Sequence, residues 1–281
     1  MTVDIMMTML AAGLAGFLVA SGLIHLRLKA PPRALMRTNV NGRSVPAVLG
    51  GPVSIAALAA LAAVVLVGAL GWEPARLEEV GAALALAFGA MAIAGSWDDR
   101  RGDERSRGFR GHLAELRRGR LSGGVVKILA GTIAGLGAGL LLWGDDLPRA
   151  TATLLLVAGA ANVVNLFDRA PGRAGKVVLV VALPIMALGH VAWGVGAAGA
   201  LGALIASLPV DLAERAMLGD AGANPLGALV GLGLALSLQG WWLWAAVGVV
   251  LLLNAAAERW SFSRIIAATR LLDSFDRAGR K

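Results

Sequence analysis

Apolar runs long enough to cross a bilayer recur along almost the whole 281-residue chain, and the polar stretches between them are short. A spanning helix needs about 17 to 25 predominantly apolar residues. Such runs lie at 4–26, 46–70, 78–97, 125–143, 150–167, 176–193, 195–210, 223–239 and 241–257. The pair 176–193 and 195–210 is divided only by the Trp193-Gly194 junction. With 57% hydrophobic and 16% charged residues and a mean hydropathy of +0.73, a water-soluble domain is excluded in favour of a polytopic membrane protein. The fold class expected is therefore all-α: one integral membrane bundle over 1–281 with about nine transmembrane helices.

The basic residues orient this bundle. Cytoplasmic loops are enriched in Lys and Arg, and with nine spans alternate loops share a side. One set, 27–45, 98–127, 168–176, 211–222 and 258–281, holds 24 of the 26 Lys and Arg, leaving Arg76 and Arg149 for the other. The expectation is an outer amino terminus, a cytoplasmic carboxyl terminus and a plasma-membrane location. The first span follows Asp4 without a preceding basic residue and shows no cleavage site after its apolar core, so it reads as retained rather than as a signal peptide. The net charge of +8 then reports the loops facing anionic lipid rather than nucleic acid.

Cysteine is absent, which removes disulfides, thiolate nucleophiles and Cys-based metal sites. His25, His112 and His190 are widely separated, which argues against a histidine metal cluster. Glycine-rich stretches inside spans, such as 131–135 and 227–231, suit close helix packing. Two inner segments mix apolar and basic residues and read equally as membrane-surface elements or solvated loops. One surrounds Leu113, Leu116 and Leu121; the other carries Trp260, Phe262, Ile265, Ile266 and Leu272.

Three of the inner loops place carboxylates at a span end: Asp98-Asp99, Asp168 and Asp220. Any one could simply snorkel to water or pair with a cation. Together on one face, they form an oxygen-donor set suited to Mg²⁺, with Mn²⁺ as a substitute, rather than zinc or copper. Lys127, Arg43, Arg169, Arg173 and Lys176 stand beside these acids or span ends, where they suit phosphates or merely enforce orientation. Mg²⁺ with Lys and Arg can neutralise a diphosphate during phosphoryl transfer.

In motif order the chain resembles the polyprenyl-phosphate N-acetylhexosamine-1-phosphate transferases, the glycosyltransferase superfamily that includes phospho-N-acetylmuramoyl-pentapeptide transferase. The resemblance rests on Val45-Pro46 to Gly50-Gly51, Asp98-Asp99, Lys127, Asn162 with Asn165 and Asp168, and Gly219-Asp220 with Gly222. It implies transfer of a sugar-1-phosphate from a UDP-sugar to a polyprenyl phosphate at the cytoplasmic face, with release of UMP, in cell-envelope glycan synthesis. It implies Asp220 as a Mg²⁺ ligand, Asp98 or Asp99 as metal ligand or base, and Lys127 on the phosphates. Asn162, Asn165, Asp168 and Arg43 are the remaining substrate-side candidates.

The branch is divergent. Arg169-Ala170-Pro171-Gly172 follows Asp168 where the family has Asp-Gly-Leu-Asp-Gly, and 258–264 contains none of the family's loop histidines. The alternative is a catalytically degenerate member acting as a scaffold or lipid-binding partner in envelope assembly. A transporter is disfavoured because no inverted repeat and no mid-span charge is visible. The sequence leaves the sugar and the oligomeric state open, a homodimer included.

Overall fold

The computed structural model describes residues 2–69, 76–101, 117–119 and 122–280. The surface segment expected around Leu113, Leu116 and Leu121, and His112, lie outside these residues.

Helices form where the apolar runs predict them: α1 (Val3–Lys29), α2 (Gly50–Ala69), α3 (Leu77–Arg101), α4 (Gly123–Trp143), α5 (Leu147–Phe167), α6 (Arg173–Leu188), α7 (Val191–Leu212), α8 (Asp220–Ser237) and α9 (Gly240–Ala257). Two short helices follow, α10 (Phe262–Ala268) and α11 (Arg270–Arg277). Seven of them, α1 to α5, α7 and α9, are long and apolar enough to cross a membrane. The other two fall short for visible reasons. α6 has only 16 residues, and α8 carries Asp220, Asn224 and Pro225 in its first six.

Helix starts follow local chemistry. Ser122 and Asp146 accept the backbone N–H of Val125 (3.5 Å) and Arg149 (3.1 Å), filling orphan donors at the first turns of α4 and α5. The expected division at Trp193-Gly194 is corrected: the chain breaks at Gly189 and His190, four residues earlier. Trp193 is no interfacial divider but is fully buried. Its indole N–H donates to Leu229 O at 3.0 Å, and it fills the space left by Gly233 on α8.

The bundle is built around α7, whose most apolar stretch is 78% buried, whereas α1 and α9 are peripheral at 22% and 17%. The chief partner of α1 is α7. Their contact is backbone against backbone: a Cβ on Gly16 would overlap Gly199, and one on Gly202 would overlap Gly13. Exposed tryptophans mark both ends of α9, Trp241 and Trp242 in its first turn and Trp260 just after it. That separation corresponds to about 28 Å at 1.5 Å per residue, the thickness of a bilayer's hydrocarbon core.

One element was not expected in an all-α chain. Met36–Thr38 and Ser44–Pro46 form an antiparallel hairpin in the loop before α2. Its turn is set by Asn39, whose Oδ1 accepts the N–H groups of Asn41 and Arg43, and by Gly42 at φ 76°. An Asn-Gly pair between short β-compatible stretches is the standard hairpin signal.

Candidate functional site

Four stretches far apart in sequence meet at one end of the bundle. They are the last turn of α3, the first turn of α4, the loop at Asp168 after α5, and the start of α8. Successive helical residues point about 100° apart, so Asp98 and Asp99 serve different neighbours. Asp98 turns towards α4, where Lys127 Nζ lies 2.7 Å from its Oδ2. Gly123 makes this approach feasible, because a Cβ there would overlap Asp98 Oδ1. The same ammonium lies 2.5 Å from Asp220 Oδ2, so Lys127 bridges the two carboxylates. Both are about one-fifth exposed.

Asp99 turns inward to α8 and is 7% exposed. Its Oδ1 accepts the N–H of Asp220 at 3.0 Å and its Oδ2 that of Ala221 at 2.9 Å. The N-cap of α8 is Gly219, which has no side chain to do this. Asp99 therefore caps a neighbouring helix, and its charge faces the positive end of the α8 dipole. Gly219 at φ 67° occupies left-handed backbone, and any Cβ would press on both Asp99 oxygens and on Ala47. Its N–H donates to Asp168 Oδ2 at 2.7 Å.

The Pro46–Gly51 stretch clamps this turn from outside. Met217 N–H donates to Pro46 O, while Leu49 and Gly50 donate to Met217 O and Leu218 O, all within 3.1 Å. Pro225 has no N–H to return to the carbonyl four residues earlier, Ala221 O. Ser54 Oγ–H supplies that bond at 2.8 Å, inside the protein. Gly95 on α3 sits against the Asp220 carbonyl with no room for a Cβ. Finally, Arg37 of the hairpin donates to the backbone carbonyl of Asp99 at the end of α3.

Asp168 is buried, and burial with the nearby Asp211 charge pushes its carboxyl well above the usual range, only partly offset by the Gly219 N–H. The other expected residues are placed elsewhere. Asn162 donates to Asn254 Oδ1 on α9 at 2.6 Å, and the backbone carbonyl of Asn165 accepts the Asp168 N–H. Arg43, with a side chain 65% exposed, stands 3.6 Å from Glu214, which also accepts from Asn39 and Asn41. Arg173 and Lys176 are engaged by the chain's last helix. Arg173 makes two 2.7 Å bonds to Asp276, and Lys176 donates to the carbonyls of Phe275, Asp276 and Ala278.

Sequence reading missed Arg37, Ser54, Glu214, Asn254 and Asp276. Asn41-Gly42 announced the hairpin that carries Arg37, and Pro225 announced an orphan carbonyl. Nothing local announced Asp276.

Two carboxylates, Asp98 and Asp220, share the one Lys127 ammonium, while Asp99 and Asp168 are turned to backbone N–H groups. Among the described residues no three His, Cys, Asp or Glu side chains are arranged to hold a metal by themselves. The Asp98–Asp220 pair nevertheless converges on a single cation, the Lys127 ammonium, from the half-open side. Two carboxylates completed by water and phosphate oxygens are what Mg²⁺ ordinarily uses. The donor set therefore fits that ion. Compared with protein-family models and with curated proteins, the chain matches none.

Proposed function

We propose that the chain is a Mg²⁺-dependent phosphoglycosyl transferase of the plasma membrane, moving a sugar-1-phosphate from a UDP-sugar to a polyprenyl phosphate at the cytoplasmic face. The observation that carries this reading is the convergence of Asp98, Lys127 and Asp220 on one half-open point, held by Asp99 and Asp168. Charge supports the sidedness: if all nine apolar runs span, 24 of the 26 basic residues fall on the face where these groups meet.

Asp98 and Asp220 would hold the ion, and Asp99, with both oxygens on backbone N–H groups, positions Asp220. Bound there, Mg²⁺ would supply charge neutralisation for the diphosphate. Lys127 reaches the same point and pairs with phosphate oxygens as negative charge shifts towards the leaving group. A lipid phosphate oxygen forms the new bond to the β-phosphorus, and the bond from that phosphorus to the bridging oxygen breaks, so UMP leaves with that oxygen. A phosphate monoester has lost most of its second proton near neutral pH, so an obligate base is not required of Asp98.

Purified protein in detergent, given polyprenyl phosphate, Mg²⁺ or Mn²⁺ and a panel of UDP-sugars, is expected to release UMP with at least one of them. Absence of release across the panel, under conditions where an authentic transferase works, overturns the reading. A scaffold role is favoured by one observation, the commitment of Arg173 and Lys176 to the chain's own last helix rather than to a ligand. Cells in which Asp98→Asn and Asp220→Asn retain full function at normal protein level would decide for the scaffold.

A further inference from the structure

After α9 the chain turns back along the end of the bundle as α10 and α11. Phe262 stacks on Phe167 at the end of α5, with ring centroids 5.3 Å apart. Arg173, at the first position of α6, grips Asp276 bidentately and also donates to Ser263 Oγ, while Arg280 reaches the same carboxylate at 2.6 Å. This strap therefore lies level with the ends of three helices, on the side where α9, the least buried of the seven long apolar helices, leaves the bundle.

Around α11, at about 100° per residue, the side chains divide three ways. Asp276 faces the protein and is buried. Leu271, Phe275 and Leu272 fill an arc of about 100° beside it, and they are 80%, 46% and 44% exposed. Arg270, Asp273, Ser274 and Arg277 take the rest. A helix solvated on its outer side needs two faces, not three. Ile265 on α10 and Trp260 are exposed apolar side chains of the same strap. Arg270 and Arg277 project from the opposite, polar side of α11, Arg277 pairing with Asp273 at 2.9 Å, and Arg259 and Arg264 are exposed on the segment before it.

We propose that the strap is an interfacial element lying on an anionic lipid leaflet, its Leu271–Phe275 arc among the acyl chains and its arginines on the headgroup phosphates. The occupant is lipid because the strap's exposed apolar residues begin at Trp260, three residues after α9 ends, and tryptophan settles at the headgroup level. The occupant is anionic because four exposed side chains of the strap, Arg259, Arg264, Arg270 and Arg277, are arginines, whose long stems can reach back to the phosphate layer. Tying the strap to Arg173 and Lys176 couples the leaflet to α6, at the edge of the site end of the bundle. This inference does not depend on the transferase reading.

The chain has no cysteine, so a single introduced thiol is unique. Spin labels at Leu271→Cys and Ser274→Cys are compared in nanodiscs of phosphatidylglycerol and of phosphatidylcholine. In phosphatidylglycerol the label at 271 is expected about 5–10 Å below the phosphate level, with the label at 274 in water. Exchanging Arg264, Arg270 and Arg277 for Gln is expected to lower the docked-to-undocked ratio about fivefold for each arginine removed. Equal water exposure at 271 and 274 overturns the proposal, as does equal immersion in both lipids. Spin–spin broadening at 271 would also overturn it, by showing that a second copy covers the arc.

Discussion

Replacing Asp99 by Asn separates its role from that of Asp98. Asp99 accepts two backbone N–H groups from one buried position, at 3.0 and 2.9 Å. An asparagine offers one oxygen, so one of these N–H groups must face an amide NH₂. Leaving a buried donor unmade costs about 1–3 kcal/mol, and removing the charge from the α8 amino terminus about 0.5–2 kcal/mol more. Adding the two gives about 1.5–5 kcal/mol, which for a chain of this size lowers Tm by on the order of 3–10 °C. Asp98→Asn weakens only a pairing with Lys127 that is about one-fifth exposed; the amide oxygen can still accept from the ammonium, which keeps Asp220 as a partner, so its Tm should stay within about 2 °C of the parent. Thermal unfolding in detergent, followed by the fraction remaining monodisperse, measures both. UMP release should be lost in each, from the folded state in Asp98→Asn and with destabilisation in Asp99→Asn. An unchanged Tm in Asp99→Asn, or an equal drop in both, refutes the capping assignment.

Gly123→Ala drives a Cβ into Asp98 Oδ1 and should abolish activity while leaving expression unchanged, because a side chain can yield; Gly95→Ala meets the Asp220 backbone and should reduce the folded yield as well. Ser54→Ala removes the donor that stands in for the N–H missing from Pro225 and should cost about 1–3 kcal/mol in thermal or denaturant unfolding. Asp276 is raised by burial but lowered more by its bonds and charge interactions with Arg173 and Arg280, leaving its carboxyl below the ordinary range. A depressed folded value means that its stabilisation is present above the unfolded carboxylate range and lost as pH falls through the folded value. The Tm difference between the parent and Asp276→Asn should therefore be steady at neutral pH and close only in strong acid. A thiol at Trp241→Cys should react with an impermeant maleimide on intact cells while one at Ser274→Cys should not; the reverse pattern overturns the orientation.

Helix positions were legible because apolar length is a one-dimensional property, and each expected run carries a helix. The exception shows what was not legible. Trp193 looked like an interfacial residue dividing two spans, yet Gly233, forty residues away, opens the cavity that buries it. The acids were legible as a set, since alternation of spans brings their loops to one face. Their division of labour was not, because Asp98 and Asp99 are adjacent letters that a helix turns to different neighbours. Arg43 and Arg173 show the same limit from the cationic side. Their place beside the acids suggested phosphate, while their partners, Glu214 and Asp276, lie more than a hundred residues downstream.

The backbone contact between α1 and α7 also sets an order of assembly. α1 is complete at Lys29, but the glycines that receive it, Gly199 and Gly202, lie in a helix that ends at Leu212. At about 5–20 residues per second of synthesis, the first helix waits on the order of 10–40 seconds for the surface it was shaped to meet. During that time the Gly13–Gly16 stripe can face lipid at little cost, since a helix satisfies its own backbone. A bulky side chain at Gly16 would be tolerated through that whole interval and rejected only at docking, so the lesion would appear as a late assembly failure with normal insertion.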